Sequence, residues 1–187
     1  MKKLNSKGFT LVELLAVIII LAIVVGISIP AVLTTTNGAK VKAGKTAATE
    51  AANWVDRQYQ VLVTGLDTAG VATIDSNFTD ACGTSAFPAS AGLKKCSSID
   101  NTTVNENFLI AAGLSKGNVS SIDVSINGAT GRSCVKLTIP DTSDYYWTGV
   151  EDKDKCANTG NGEACYLSIT PKNGTTPGSA VIRAGVC

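Results

Sequence analysis

The chain has 187 residues and no histidine, and no cysteine precedes residue 82. Histidine is the commonest general base of enzymes and a frequent zinc ligand, so its absence leaves nucleophilic catalysis and most zinc sites without a usual component. No Cys-x-x-Cys pair is present for a zinc or thioredoxin-like redox site. We therefore expect no enzyme activity, no metal and no other cofactor.

The chain also has no large excess of positive or negative charge. Sixteen Lys and Arg face fifteen Asp and Glu, for a formal net charge of +1. Three of the cations, Lys2, Lys3 and Lys7, lie at the extreme N-terminus. Nonspecific binding to nucleic acid requires a basic face, so we expect no specific nucleic-acid partner.

One long apolar run extends from Phe9 to Ile29, and Glu13 is its only charge. As a helix it is long enough to cross a hydrocarbon core of about 30 Å. No Lys or Arg follows Lys7 until Lys40, so the positive-inside rule places the N-terminus in the cytoplasm. The sequence predicts a single-pass membrane precursor with an exterior domain.

A cleaved secretory signal is the alternative to a retained helix. Signal peptides have an apolar region of about 7–15 residues followed by a small-x-small site. This run is longer, and the stretch from Gly26 to Pro30 contains no Ala-x-Ala. The pattern favours a retained helix.

Glu13 requires an explanation because a charge near the bilayer centre costs about 2.5–3.5 kcal/mol on insertion scales, and less near an end. It either reaches the headgroups beside a simple anchor or awaits a partner. The residues around Glu13 favour the second explanation. They are Lys7-Gly8, then Phe9-Thr10-Leu11-Val12-Glu13, then an aliphatic run with Pro30 beyond it. This N-terminus resembles that of type IV pilins and their pseudopilin relatives.

The resemblance implies a cleavage and an assembly contact. A membrane peptidase would cut between Gly8 and Phe9 and N-methylate Phe9. Glu13 of an incoming subunit would then meet the free amine of Phe9 on a neighbour, in surroundings of low dielectric constant where pairing is strong. Assembly would thereby relieve an unpaired charge.

The resemblance also implies the organisation of the chain. Residues 1–8 would be a leader, 9–30 the membrane and filament-core helix, 31–63 its amphipathic second half, and 64–187 a head domain. The chain would polymerise into an extracellular type IV pilus that supports adhesion or motility. The alternative is a pseudopilin of a secretion or DNA-uptake fibre. Expected partners are further copies, the prepilin peptidase, the inner-membrane assembly platform with its ATPase, and membrane lipid before assembly.

Gly26 and Pro30 interrupt the helical sequence. Proline removes a backbone donor, and glycine costs about 1 kcal/mol relative to alanine inside a helix. Either Pro30 simply ends the membrane span, or, as the resemblance implies, the helix melts here when subunits pack into the filament.

All six cysteines follow the apolar run, which fits disulfides in an oxidising exterior. Six cysteines allow fifteen pairings, and the sequence does not choose among them. Joining the pairs that are close in sequence gives Cys82–Cys96 and Cys156–Cys165, and leaves Cys134 with Cys187.

We predict an α+β fold, with a long N-terminal helix packed by its second half on a small antiparallel sheet. Apolar residues at helical spacing mark the packed face: Val41, Ala48, Ala51, Ala52, Val55, Tyr59 and Leu62. Residues 64–103 are expected to form a long connection and residues 104–114 a helix ended by Gly117. The predicted strands are 120–126, 134–139, 145–150, 165–170 and 180–184, and Asn127-Gly128 turns between the first two.

Overall fold

The structure is a computed structural model that describes residues 10–65, 75–82, 93–96, 99–100, 103–157 and 162–187. Its helices are α1 (Leu11–Thr64), α2 (Ser76–Cys82) and α3 (Thr103–Ala111), with a 3-10 turn at Asp152–Asp154. Its strands are β1 (Leu93–Lys95), β2 (Ile99–Asp100), β3 (Ser121–Asn127), β4 (Arg132–Pro140), β5 (Gly162–Thr170) and β6 (Ser179–Gly185). The α+β prediction is confirmed.

The chain forms two compact units, Met1–Ala39 and Lys40–Cys187. Helix α1 contributes to both, because its first part belongs to one unit and the part from Lys40 onward belongs to the other. The second unit contains the sheet and the buried core.

The second part of α1 packs on the sheet through the face that the sequence predicts. Val41, Ala48, Ala51, Ala52, Val55 and Tyr59 are buried, and Leu62 is half-buried. Small alanines let the helix backbone approach the strands closely. Gly44 extends this close approach, since a Cβ there would lie 2.7 Å from Ile182 Cδ1 and 2.9 Å from the Tyr166 hydroxyl.

The sheet is antiparallel, with strand order β1-β3-β4-β6-β5 and with β2 also paired to β3. Register aligns the apolar residues of neighbouring strands, so that Ile122 pairs with Leu137 and Leu137 with Ile182. All three side chains are fully buried. Alternation in β3, β4 and β6 thus produces one apolar face, as strands with one buried side require.

The β3–β4 hairpin is confirmed, and its turn opens at Asn127-Gly128 as predicted. Asn127 is the last residue of β3 and pairs with Arg132, so four residues form the connection. Its Oδ1 accepts hydrogen bonds from the amides of Ala129 (3.0 Å) and Thr130 (3.2 Å). Gly131 closes the turn at a φ of 67°, a left-handed conformation that favours glycine.

The prediction of a plain connection over residues 64–103 is wrong for the part that the structure describes. Helix α2 lies within it and buries Phe78, Ala81 and Cys82. Phe78 and Phe108 make edge-to-face contacts with Trp54 of α1, at centroid distances of 6.0 and 5.1 Å. Trp54 is therefore a core residue, and the short helices close the core beside α1.

Helix α3 ends at Ala111, before the predicted end, because the chain reverses at Gly113 with a φ of 79°.

The strand predicted at residues 145–150 is absent, since these described residues form turns. Ser143 Oγ accepts the Tyr145 amide at 3.0 Å, and Asn118 Oδ1 accepts the Asp144 amide at 3.0 Å. These side-chain acceptors satisfy the backbone locally and replace a strand ladder. The aromatic residues Tyr145, Tyr146 and Trp147 pack against the core from this loop.

The cysteines form three disulfides, Cys82–Cys96, Cys134–Cys187 and Cys156–Cys165. These are the pairs that closeness in sequence suggests. The second ties the C-terminal residue to β4, and the third ties the segment after the 3-10 turn to β5.

Candidate functional site

Glu13 lies in the first turn of α1 and forms a capping box with Thr10. The Thr10 amide donates to Glu13 Oε2 at 2.9 Å, and the Glu13 amide donates to Thr10 Oγ1 at 3.3 Å. The Thr10 hydroxyl also donates to Oε2 at 2.9 Å. Reciprocal bonds of this kind satisfy amide donors that a helix start otherwise leaves without partners. Thr10 therefore fixes where α1 begins and where the Glu13 carboxylate lies.

Glu13 thus has a hydrogen-bond partner, Thr10, within the chain, while the pairing of its charge with the Phe9 amine stays a prediction. Both bonds to its carboxylate fall on Oε2, while Oε1 accepts no hydrogen bond from the residues that the structure describes. One oxygen is thus held by the helix start, and the other is available to a further donor. Gly8 and Phe9, the predicted cleavage and methylation residues, lie outside the described residues.

The surface that follows Glu13 is apolar on every side of the helix. From Leu11 to Leu33 the large aliphatic side chains are 49–81 % exposed. A helix that is hydrophobic all round is stable only in a membrane or against other apolar surfaces. Among the described residues α1 is the one helix long and apolar enough to span a bilayer, and none of its most apolar stretch is buried by them.

Gly26 and Pro30 lie four residues apart inside α1, which continues through both without interruption. Pro30 lies inside the helix rather than at its end, and the expectation that it ends the membrane span stays a prediction. The carbonyl of Gly26 faces the position where Pro30 has no N–H, so the ladder loses one bond there. Nearby hydroxyls bond to carbonyls, with Ser28 Oγ donating to Val24 O at 2.7 Å and Thr36 Oγ1 to Val32 O at 2.8 Å. Such bonds are the usual accommodation of proline in apolar helices.

Asp56 fastens the second part of α1 to the β3–β4 hairpin. Its Oδ1 accepts the Ser133 amide at 2.7 Å, and its Oδ2 lies 3.6 Å from Arg132 Nε. The Asp56 side chain is only 17 % exposed. In addition, Ser133 Oγ donates to the carbonyl of Ala52 at 3.2 Å. The amphipathic half of the helix is thereby tied to the sheet by polar bonds as well as by packing.

The acidic segment from Glu151 to Asp154 is paired with lysines. Lys45 on α1 lies 3.0 Å from Asp154, Lys155 lies 2.8 Å from Asp152, and Lys153 lies 2.8 Å from Glu151. The hydrogen bond from Lys155 lowers the pKa of Asp152, and the bond to Glu151 raises the pKa of Lys153. Among the described residues no cluster of acids, cysteines or histidines is arranged to hold a metal ion.

Tyr166 is a buried titratable group beneath α1. Its hydroxyl donates to the Tyr145 carbonyl at 2.9 Å. Burial, and then the nearby Asp154 carboxylate, raise the pKa of Tyr166 well above its usual value. The Tyr166 side chain has a structural role, since its hydrogen bond joins β5 to the loop that contains Tyr145, beneath Gly44.

The role of Thr10 could have been found from the sequence. Thr10-Leu11-Val12-Glu13 has the S/T-x-x-E spacing of a capping box just before an apolar run. Asp75 similarly precedes α2, and its Oδ1 accepts the Asn77 amide at 2.8 Å, as an N-cap residue does.

Comparison with known proteins supports the N-terminal assignment. The family model described as the prokaryotic N-terminal methylation motif matches residues 3–29. No curated protein and no solved structure matches the chain. The matched range contains the predicted cleavage residues, Glu13 and most of the exposed apolar helix.

Proposed function

We propose that this chain, whose residues 3–29 match the prokaryotic N-terminal methylation motif of type IV pilin-type prepilins, is the structural subunit of an extracellular type IV pilus. A leader of this class implies processing by a prepilin peptidase and assembly with other subunits. In the proposal the peptidase cuts between Gly8 and Phe9, and Phe9 becomes the methylated N-terminal residue. The membrane platform and its ATPase then move the subunit from lipid into the filament.

The exposed apolar helix carries the proposal. Its large aliphatic side chains from Leu11 to Leu33 are exposed among the residues that the structure describes, so lipid covers them before assembly and the helices of other copies cover them afterwards. The disulfide-bonded unit from Lys40 onward provides the filament surface, where adhesion or motility would act. Gly26 and Pro30 are the place where we propose that the helix melts during packing.

The capping box gives the proposed assembly contact a definite form. Thr10 holds Oε2 of Glu13, and the Phe9 ammonium of a neighbouring copy binds Oε1. Water is excluded there, so opposite charges attract more strongly than at a wet surface. Thr10 therefore orients the carboxylate, and the negative charge of Glu13 attracts the amine.

Two substitutions at Glu13 separate the charge from the cap. Glu13→Ala removes both, whereas Glu13→Gln removes the charge but keeps an oxygen that satisfies a capping box. We expect both variants to be cleaved normally and both to yield much less sheared filament than the wild type. Electron microscopy and immunoblotting of sheared surface material measure this. Wild-type filament levels in Glu13→Gln would refute the charge pairing.

A pseudopilin of a secretion or DNA-uptake fibre is the second candidate, because the N-terminal motif is common to both groups. The same fractionation separates the two. A pilus subunit dominates the sheared surface filaments, whereas a pseudopilin stays with the cell envelope.

A further inference from the structure

One side of α1 turns away from the sheet between residues 42 and 60, and we call it the outer stripe. Its charged members are Lys42, Glu50 and Arg57, all of them exposed. At 3.6 residues per turn these three lie within an arc of about 80°. The exposed uncharged members are Thr46, Thr49, Asn53 and Gln60.

None of the three charges belongs to an ion pair in the described part of the chain. Charges that stabilise a single helix lie three or four residues apart. Around Glu50 those positions hold uncharged residues, namely Thr46, Ala47, Asn53 and Trp54. The charges of the outer stripe therefore do not serve α1 itself.

Their signs alternate along the axis at nearly equal intervals. At 1.5 Å per residue, Lys42 precedes Glu50 by about 12 Å, and Glu50 precedes Arg57 by about 10.5 Å. A parallel second copy shifted by about 11 Å toward the C-terminal end of α1 brings its Lys42 level with Glu50 of the first copy. The same shift brings its Glu50 level with Arg57 of the first copy. One displacement thus makes two attractive contacts.

Two other arrangements of such helices are repulsive. A parallel copy without displacement sets each charge beside its own kind. An antiparallel copy centred on Glu50 sets Glu50 beside Glu50 and Lys42 beside Arg57. Like charges directly opposite each other destabilise a contact. An antiparallel copy centred between Lys42 and Glu50 also brings these opposite charges together twice, but the proposed filament requires all subunits to run in the same direction. Among parallel pairs, the charge order therefore favours the staggered one.

We propose that the outer stripe is a contact surface for a second copy of this chain, which is displaced by about 11 Å along α1 in the same direction. The inference rests on the proposed filament and adds the surface and axial register through which neighbouring subunits meet beyond the apolar half of α1. The Glu13 contact sets which amine is bound, and the outer stripe sets the stagger of the amphipathic halves.

Glu50→Lys tests the surface, because it turns both proposed contacts repulsive while keeping a residue of similar helix propensity. We expect about a tenfold loss of sheared filament, the scale for reversing two exposed charge contacts. Glu163→Lys is the matched control, since Glu163 is an exposed acid on β5 that is absent from the ion pairs. It should assemble like the wild type.

The triple variant Lys42→Glu/Glu50→Lys/Arg57→Glu reverses every sign and restores the alternation. We expect it to recover filament to near the wild-type level, which a folding defect caused by Glu50→Lys would not allow. Precursor level and non-reducing electrophoresis of the disulfides check that each variant folds.

Two results would overturn the inference: a Glu50→Lys variant that assembles as well as Glu163→Lys, or a triple variant that remains as defective as Glu50→Lys. Either result with abundant wild-type filaments leaves the proposed function intact. Absence of wild-type filaments would instead contradict the proposed function itself.

Discussion

Gly44→Ala is the sharpest test of how α1 packs on the head domain. The added methyl group would lie 2.7 Å from Ile182 Cδ1, 2.9 Å from the Tyr166 hydroxyl and 3.2 Å from Tyr145 Cβ. The Ile182 methyl is the flexible end of a side chain, but Tyr166 is held by its hydrogen bond to the Tyr145 carbonyl. Relief of the overlap therefore moves the helix away or breaks that bond.

Opposing effects set the size of the change. Alanine favours the helix by about 1 kcal/mol over glycine. Overpacking a core costs about 1–3 kcal/mol, and loss of the hydrogen bond adds about 1 kcal/mol. We expect the free energy of unfolding to fall by about 1–3 kcal/mol in the net.

The assay is urea unfolding of the full chain in detergent, followed by tryptophan fluorescence, since Trp54 is buried in the core against Phe78 and Phe108. Gly38→Ala is the matched control, because no atom lies within 4 Å of its added methyl group. That variant should be unchanged or slightly more stable. A Gly44→Ala chain as stable as Gly38→Ala would refute the close approach of α1 to the sheet.

Two further substitutions test the polar contacts. Asp56→Ala leaves the buried amide of Ser133 without its acceptor, so it should lower the free energy of unfolding by about 1–3 kcal/mol. Arg132→Ala removes only an exposed ion pair, so it should lower the free energy of unfolding by less than about 1 kcal/mol in the same urea experiment. Burial raises the pKa of Tyr166, so the folded state keeps a proton that the unfolded chain releases, and stability is full below about pH 10 and falls as the pH rises further. Tyr166→Phe should show a smaller loss of stability between about pH 10 and pH 12 in unfolding curves, and an equal loss would show that this tyrosine does not cause it.

Local periodicity was enough to predict the elements whose stability comes from a single buried face. The apolar positions of α1 from Val41 to Tyr59, and the alternation in β3, β4 and β6, each repeat at one period and point to one core. The elements that differ depend on contacts remote in sequence. The run at residues 145–150 is rich in aromatic and β-branched residues, as strands are. Yet Asp144, just before the run, donates its backbone amide to Asn118, far away in the chain, and the run forms turns.

The candidate site was predictable in its identity but not in its geometry. The position of Glu13 after Lys7-Gly8-Phe9 marks its role through the resemblance, and the family match supports the same range. That Thr10 occupies one carboxylate oxygen and leaves the other open follows only from how the helix begins. The outer stripe is likewise visible only after burial shows which side of α1 faces away from the sheet.

The most direct measurement is mass spectrometry of the N-terminal peptide from filaments sheared off the cell surface. We expect a chain that begins at methylated Phe9, is the principal protein of the filaments and contains Glu13 intact. A polypeptide that retains residues 1–8, or that is released as a single soluble subunit without its apolar helix, would contradict this expectation.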